Sequence, residues 1–280
     1  MLNPKIISDD VARFLSEDIG GGDLTALVIP DNTLAKATIM TREATIVCGQ
    51  AWVDEIFKQL NPNIDIDWQQ LEGSQAFAGD TLCFLSGPAR ALMSGERAAL
   101  NILQTLSSTA TLANQFAKAV EGTKTVVLDT RKTLPGLRLA QKYAVKCGGA
   151  SNHRVGLYDG ILIKENHIMA AGSIMQAVSS ARLVSDSVNV EVEVENLDEV
   201  QQALDAKADI LLLDNFNLNQ LKQAVQLTKG AAKLEASGNV DLSTIRDIAL
   251  TGVDFVSVGA LTKNVQAADL SMRVMLEDYV

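Results

Sequence analysis

The apolar and polar positions of this chain fall into two rhythms, with the change near residue 108. In the first part, VARFLSEDI reads as a helix and Gly20, Gly21 and Gly22 as a turn. Short strand-like runs follow, ATIMT at 37–41 and TLCFLSG at 81–87, with a helix AWVDEIFKQL between them. Another helix is expected over ALMSGERAALNILQTLSS. These elements describe a mixed α+β unit.

The second part repeats one sentence several times: a short apolar run, a polar residue or glycine, then an amphipathic helix. KTVVLD ends at Asp129, ILIK at Lys164, DILLLD at Asp214, KLEAS at Ser237 and DFVSVG at Gly259, while VNVEVEV carries Glu193. The intervening helices are SIMQAVSSARLV, LDEVQQALDAK, LNQLKQAVQLTKG and LSTIRDIALTG. This alternation predicts a (β/α) barrel, with a doubly wound open sheet as the competing arrangement. A barrel interior is packed, so charged side chains are expected at the C-terminal strand ends rather than mid-strand.

Composition fits either arrangement. The 280 residues suffice for one large barrel or two modest domains, and 47% of them are hydrophobic but only 4% aromatic. The core must be built from Ala, Val, Leu and Ile, as parallel strands under helices require. A net charge of -10 argues against nucleic-acid partners. Cys48, Cys83 and Cys147 are too scattered for a zinc pattern or a disulfide framework, so a cytoplasmic setting is expected. Neither a signal peptide nor a membrane-spanning apolar run is evident.

Charge is unevenly placed. From Arg131 through Lys164 there are seven Lys or Arg and one acid, Asp159, and both histidines, His153 and His167, fall at or just beyond this stretch. Such a cluster favours an anionic ligand. Arg138, Lys142 and Lys146 have helical spacing and could form a solvated basic face. That explanation fits Arg131, Lys132, His153, Arg154 and Lys164 less well, since they lie just after a strand, in a Gly/Ser/Asn loop or at the end of an apolar strand. Arg131 and Arg154 can each grip a carboxylate with two hydrogen bonds. Glu191, Glu193 and Glu195 alternate with Val and are expected on one side of their strand, with Asp214 ending the next. Acids there could hold ribose hydroxyls or a hydrated Mg2+, or could simply favour helix N-termini. Ser237, Gly238 and Gly259 lie where backbone amides could cradle a phosphate.

EDIGGGDLT (17–25), ERAALN (96–101), DTRKTLPGLR (129–138), KYAVKCGGASNHRVGLYDGILIKENH (142–167), EVEVENL (191–197), LLLDN (211–215), ASGN (236–239) and GVDFVSVGAL (252–261) together resemble the quinolinate phosphoribosyltransferases. The resemblance runs in order over nearly the whole chain. It implies an N-terminal α/β sandwich over 1–108 and an incomplete (β/α) TIM-like barrel over 109–267, with a helix at about 268–280 packing back on the first domain. It also implies a homodimer or larger assembly with shared sites. Quinolinate would meet Arg131, His153, Arg154, Lys164 and Arg97 of a neighbouring subunit. Lys132, Glu193 and Asp214 would surround phosphoribosyl pyrophosphate (PRPP) and its Mg2+, the ion being held mainly by PRPP. Ser237, Gly238 and Gly259 would line the 5-phosphate site.

Three positions depart from the family pattern: Glu165 in place of Asp, Ala150 in place of a third glycine, and Lys263 in place of a frequent histidine. The implied reaction makes nicotinate mononucleotide, pyrophosphate and carbon dioxide. The alternatives are the pyrophosphorylase-like paralogue associated with molybdenum transport, a Schiff-base aldolase using Lys164, and a non-catalytic anion-binding protein.

Overall fold

The apolar runs become strands wherever side chains alternate and helices wherever they recur at three and four. A computed structural model describes residues 3–276. It divides the chain into two units. The first comprises Met1–Leu112, Leu139–Gly148 and Val265–Val280, and the second Ala113–Arg138 and Gly149–Asn264.

In the first unit, α1 (Pro4–Ile19) is capped by Asn3, whose side chain accepts the Lys5 N–H at 3.0 Å. Strands β1 (Leu34–Thr41) and β2 (Thr45–Ile46) precede α2 (Gln50–Leu60). Strands β3 (Asp65–Trp68), β4 (Gln75–Ala76) and β5 (Thr81–Pro88) precede the long helix α3 (Ala89–Ala119). Period-two burial of Ala35, Ala37 and Ile39 in β1 faces one side of the sheet inward. Trp52, Val53, Ile56 and Phe57 of α2 are fully buried.

The sheet order is β12-β1-β5-β3, where β12 is Leu270–Leu276. This corrects the expected C-terminal helix. LSMRVML buries Leu270 and Met272 two residues apart, and Thr41 through Ala35 of β1 offer an open antiparallel edge. Residues 277–280 of the expected helix lie outside the described residues.

After α3 come β6 (Val126–Leu128), α4 (Arg138–Cys147), β7 (Ile161–Ile163), α5 (Glu165–Ala171), α6 (Ile174–Val184) and β8 (Val190–Val194). The chain continues through α7 (Leu197–Asp205), β9 (Ile210–Asp214), α8 (Leu218–Thr228), β10 (Lys233–Ser237), α9 (Ile245–Leu250), β11 (Phe255–Ser257) and α10 (Ala260–Lys263). Ser173, Asn196 and Asn217 cap α6, α7 and α8 by accepting backbone N–H bonds from Gln176, Glu199 and Gln220.

The six parallel strands are ordered β6-β11-β10-β9-β8-β7. The first strand therefore pairs with the last, and no reversal of order occurs, as a doubly wound sheet would require. On its other side β6 pairs only through a bridge from Leu128 to Ser151, so the barrel is incomplete. On β8, Val190, Val192 and Val194 are fully buried on the outward side, while Glu191 and Glu193 line the interior. Glu195 lies beyond the strand and is exposed, so it leaves the alternating set. Lys142 also departs from expectation. It is 2% exposed on α4 and does not belong to a solvated face.

Candidate active site

The C-terminal ends of the barrel strands surround a cavity of about 510 Å³. It brings together Arg131, Lys132, His153, Arg154, Lys164, Glu193, Asp214 and Ser237 from loops and strand ends separated by more than a hundred residues. A second cavity of about 710 Å³ shares Lys132, Asp214 and Ser237 with it and continues past Gly238, Gly259 and Lys263. Arg97 sits on α3 in the first unit and is exposed. Glu165 is exposed at the start of α5, and Ala150 is buried beside the Ser151 bridge.

The cations are incompletely answered by the protein. Arg131 and Arg154 form no salt bridge among the described residues, and the Arg131 Nε is buried without a hydrogen-bond partner. Burial and the charge of Arg131 both disfavour the Arg154 guanidinium, lowering its pKa. The Arg154 guanidinium donates to the Gly160 carbonyl at 3.3 Å. An arriving anion would relieve both arginines. Lys164, unlike the two arginines, has a carboxylate partner within the chain. Its side chain is 48% exposed and paired with Glu193. The turn carrying it is held by His167, whose Nδ1 accepts the Lys164 N–H at 3.0 Å.

The cavity wall also holds a group that the sequence pattern did not expose. His153 Nε2 lies 3.0 Å from Glu191 and 3.5 Å from Glu235, and the two acids are 5% and 1% exposed. Both sit mid-strand inside the barrel, against the expectation that charges avoid that position. His153 Nδ1 accepts the Arg154 N–H at 2.8 Å, so the imidazole proton resides on Nε2 and points to Glu191. Asp129, fully buried, sets this loop by accepting the His153 N–H at 2.9 Å and the Asn152 side-chain amide at 2.7 Å.

Electrostatics explain how two acids tolerate this burial. Burial and then the neighbouring Glu191 push the Glu235 carboxyl up to about 7. Burial alone would lower the His153 pKa, but the hydrogen bond to Glu191 and the nearby carboxylates outweigh it and raise the value. The trio also groups donors as a metal site would. A metal on Nε2, however, needs that atom unprotonated, while Nδ1 already acts as an acceptor. The trio is therefore better described as a proton-sharing cluster.

The end of the second cavity is shaped by two glycines. At Gly238, φ is +102°, and a Cβ would stand 2.2 Å from Asn215 Oδ1. At Gly259, a Cβ would stand 3.3 Å from the Lys132 stem. The Lys132 backbone is held from the same turn, since Thr262 donates its hydroxyl to the Lys132 carbonyl at 2.8 Å. Asp214 is paired laterally with the Asn215 amide at 2.8 Å. This keeps its carboxylate at the strand end, facing the cavity.

Comparison with known proteins matches these two regions separately. Residues 23–107 match the family model described as quinolinate phosphoribosyl transferase, N-terminal domain, and residues 109–273 match its C-terminal domain. The chain is 40% identical over 267 residues to a probable nicotinate-nucleotide pyrophosphorylase [carboxylating] of Bacillus subtilis (strain 168), covering 95% of this chain and 92% of that protein. It is 38% identical over 284 residues to the chloroplastic nicotinate-nucleotide pyrophosphorylase [carboxylating] of Arabidopsis thaliana, covering 94% and 81%. The solved nicotinate-nucleotide pyrophosphorylase of Francisella tularensis superposes with a TM-score of 0.95 at 47% identity, covering 98% of both chains.

Proposed function

Since this chain belongs to the quinolinate phosphoribosyltransferase family, we propose that it transfers phosphoribosyl from PRPP to quinolinate with loss of carbon dioxide, forming nicotinate mononucleotide for NAD biosynthesis. The observation that carries this reading is the division of charge inside one continuous cavity. Arginines without carboxylate partners stand on one side, Glu193 and Asp214 on another, and glycine turns beside Lys132 close the far end.

Arg131 and Arg154 hold the two carboxylates of quinolinate, with Lys164 adding a third positive charge once it exchanges Glu193 for substrate. His153 lines the same wall, but its nitrogens face the protein, so it acts by orienting Arg154 through the Nδ1 bond. Gly238, Gly259 and Ser237 present the 5-phosphate site, and Lys132 lies beside the departing pyrophosphate. The oxygens of Glu193 and Asp214 are hard donors on neighbouring strands, a set that fits Mg2+ held mainly by PRPP. When bound, the ion offsets charge on the leaving pyrophosphate.

Glu193 or Asp214 then faces the positive charge that develops on the ribosyl carbon. The ring nitrogen of quinolinate, fixed by its carboxylates, closes the bond. The resulting pyridinium accepts the electron pair left by the 2-carboxylate, so carbon dioxide departs after transfer, and C2 takes a proton. A Schiff base on Lys164 would leave the surrounding arginines without a purpose.

We also place Arg97 in the pocket of a neighbouring copy, in a homodimer or larger assembly, because its exposed position on α3 leaves it available to another chain. The three free cysteines agree with a cytoplasmic location, and no described helix is long and apolar enough to cross a membrane. The direct test mixes purified protein with Mg2+, PRPP and quinolinate. Nicotinate mononucleotide and carbon dioxide should appear in equal amounts. A protein that binds both substrates yet forms neither product would refute the reading.

A further inference from the structure

Away from the barrel mouth, the first unit holds a pair of thiols with unequal surroundings. Cys48 precedes the Gly49 cap of α2 and is fully buried. Cys147 ends α4 and is half-buried. The two sulfurs and a Glu72 oxygen all lie within 4.8 Å of one another. A hydrogen bond from Cys48 is the main cause lowering the Cys147 pKa, with Tyr143 adding to it and burial opposing it. Burial pushes the Cys48 thiol well up. One sulfur therefore belongs to a half-buried residue and is inclined to ionise, and the other belongs to a fully buried one.

Such a cluster could hold a soft metal, but its third ligand is already engaged. Glu72 Oε1 accepts the Gly49 N–H at 2.9 Å, and Oε2 accepts the Gln50 N–H at 3.2 Å. Gly49 has no side chain to cap α2, so the Glu72 carboxylate serves that helix terminus. The nearby Tyr143 phenol is held protonated by burial and by the Glu72 charge. Two thiols with no further free anionic ligand are poorly built for zinc and well built for exchange with a disulfide.

We propose that Cys48 and Cys147 form a reversible dithiol–disulfide site whose oxidant is a small-molecule disulfide such as glutathione disulfide. The Cys147 thiolate attacks one sulfur of the oxidant, breaking its S–S bond and releasing one thiolate. Cys48 then attacks the Cys147 sulfur, displacing the second thiolate as its proton leaves past Glu72. The protein dithiol loses two electrons and two protons, and the oxidant becomes two thiols. The product ties the segment before α2 to the last turn of α4, both within the first unit.

The test incubates the native full-length protein with glutathione disulfide, alkylates remaining thiols after unfolding, and maps the peptides by mass spectrometry. Two of the three free thiols should disappear, with a linked Cys48–Cys147 peptide that dithiothreitol reverses. Cys83 is fully buried and should remain a free thiol, which checks that the fold stays closed during oxidation. Cys48→Ser should instead trap one glutathionyl group on Cys147, whereas Cys147→Ser should leave Cys48 unmodified. Survival of all three thiols in the wild-type protein would overturn the proposal. So would glutathionylation of wild-type Cys147 that never resolves to the internal disulfide. The wild-type result decides the question even if the serine variants fold poorly.

Discussion

Replacing Glu235 by glutamine keeps the shape of the buried carboxyl and removes its ability to ionise, which isolates the electrostatic load inside the barrel. In the folded protein this group titrates at about 7, against an ordinary value of 4.5. The difference of about 2.5 pH units corresponds to about 3 kcal/mol, at roughly 1.4 kcal/mol per unit. The folded state binds the proton more tightly than the unfolded state. Stability from this group is therefore fully present below pH 4.5 and is lost progressively as pH rises through 7. His153, whose folded pKa is also raised, moves in the same direction: its contribution is complete below about 6.5 and fades at higher pH. The wild-type protein should thus lose up to about 3 kcal/mol relative to Glu235→Gln between pH 5 and pH 8. Trp52 and Trp68 both lie in the first unit, so their fluorescence reports the wrong region. Hydrogen exchange of the β8 and β10 amides reads the barrel directly, and comparing variant with wild type at each pH removes the intrinsic pH dependence of exchange. Equal protection differences at pH 5 and pH 8 would refute the buried-proton account.

The remaining expectations concern ligands. Lys164→Ala should abolish detectable turnover while changing stability by less than about 1 kcal/mol, because the Lys164 side chain is half-exposed and solvent screens its pairing; normal turnover by the folded variant would sink the pocket assignment. Nicotinic acid, with one carboxylate, should lose about 2–5 kcal/mol of transition-state binding, roughly thirty- to several-thousand-fold in kcat/KM, and turnover matching quinolinate would show that the second carboxylate is not read. Arg97→Ala and Lys164→Ala should each be nearly inactive, but randomly mixed dimers should recover roughly a quarter of wild-type activity, since each mixed dimer regenerates one whole site. If verified heterodimers stayed inactive, Arg97 would not reach a neighbour's pocket.

Local signals account for most of what could be read in advance. The ILIK, ILLLD and KLEAS runs announce strands because each carries a short apolar stretch and ends where the barrel opens. Ser173, Asn196 and Asn217 announce helix starts because a short side-chain oxygen can satisfy an amide that the helix leaves unpaired. The placement of Arg131, His153, Arg154 and Lys164 around one cavity also follows from their positions in the loops that flank β6 and β7. LSMRVML forms a strand where the family resemblance implies a helix, because seven residues of mixed size suit either. Pairing with β1, from 230 residues away in sequence, decides the matter.

Glu191 and Glu235 were obscured by a sounder rule applied too narrowly. An isolated charge at the middle of a barrel strand is unfavourable, so the alternation of β8 taken alone leads Glu191 toward the mouth and gives Glu235 no role. The compensation comes across the interior: His153 enters from the loop after the Ser151 bridge and sits between β8 and β10. Its position depends in turn on Asp129, which ends a different strand and bonds the His153 backbone. Four residues from four stretches of chain therefore settle one protonation pattern. Removing any one leaves a buried polar group among the others without its partner. A clue was nevertheless present in KLEAS, where Glu235 stands between Leu234 and Ala236 with no surface rhythm to explain it. A buried acid inside an otherwise apolar strand calls for a proton or a cation from elsewhere in the fold, and with only two histidines in the chain, His153 in its Gly/Ser/Asn loop was the candidate to examine.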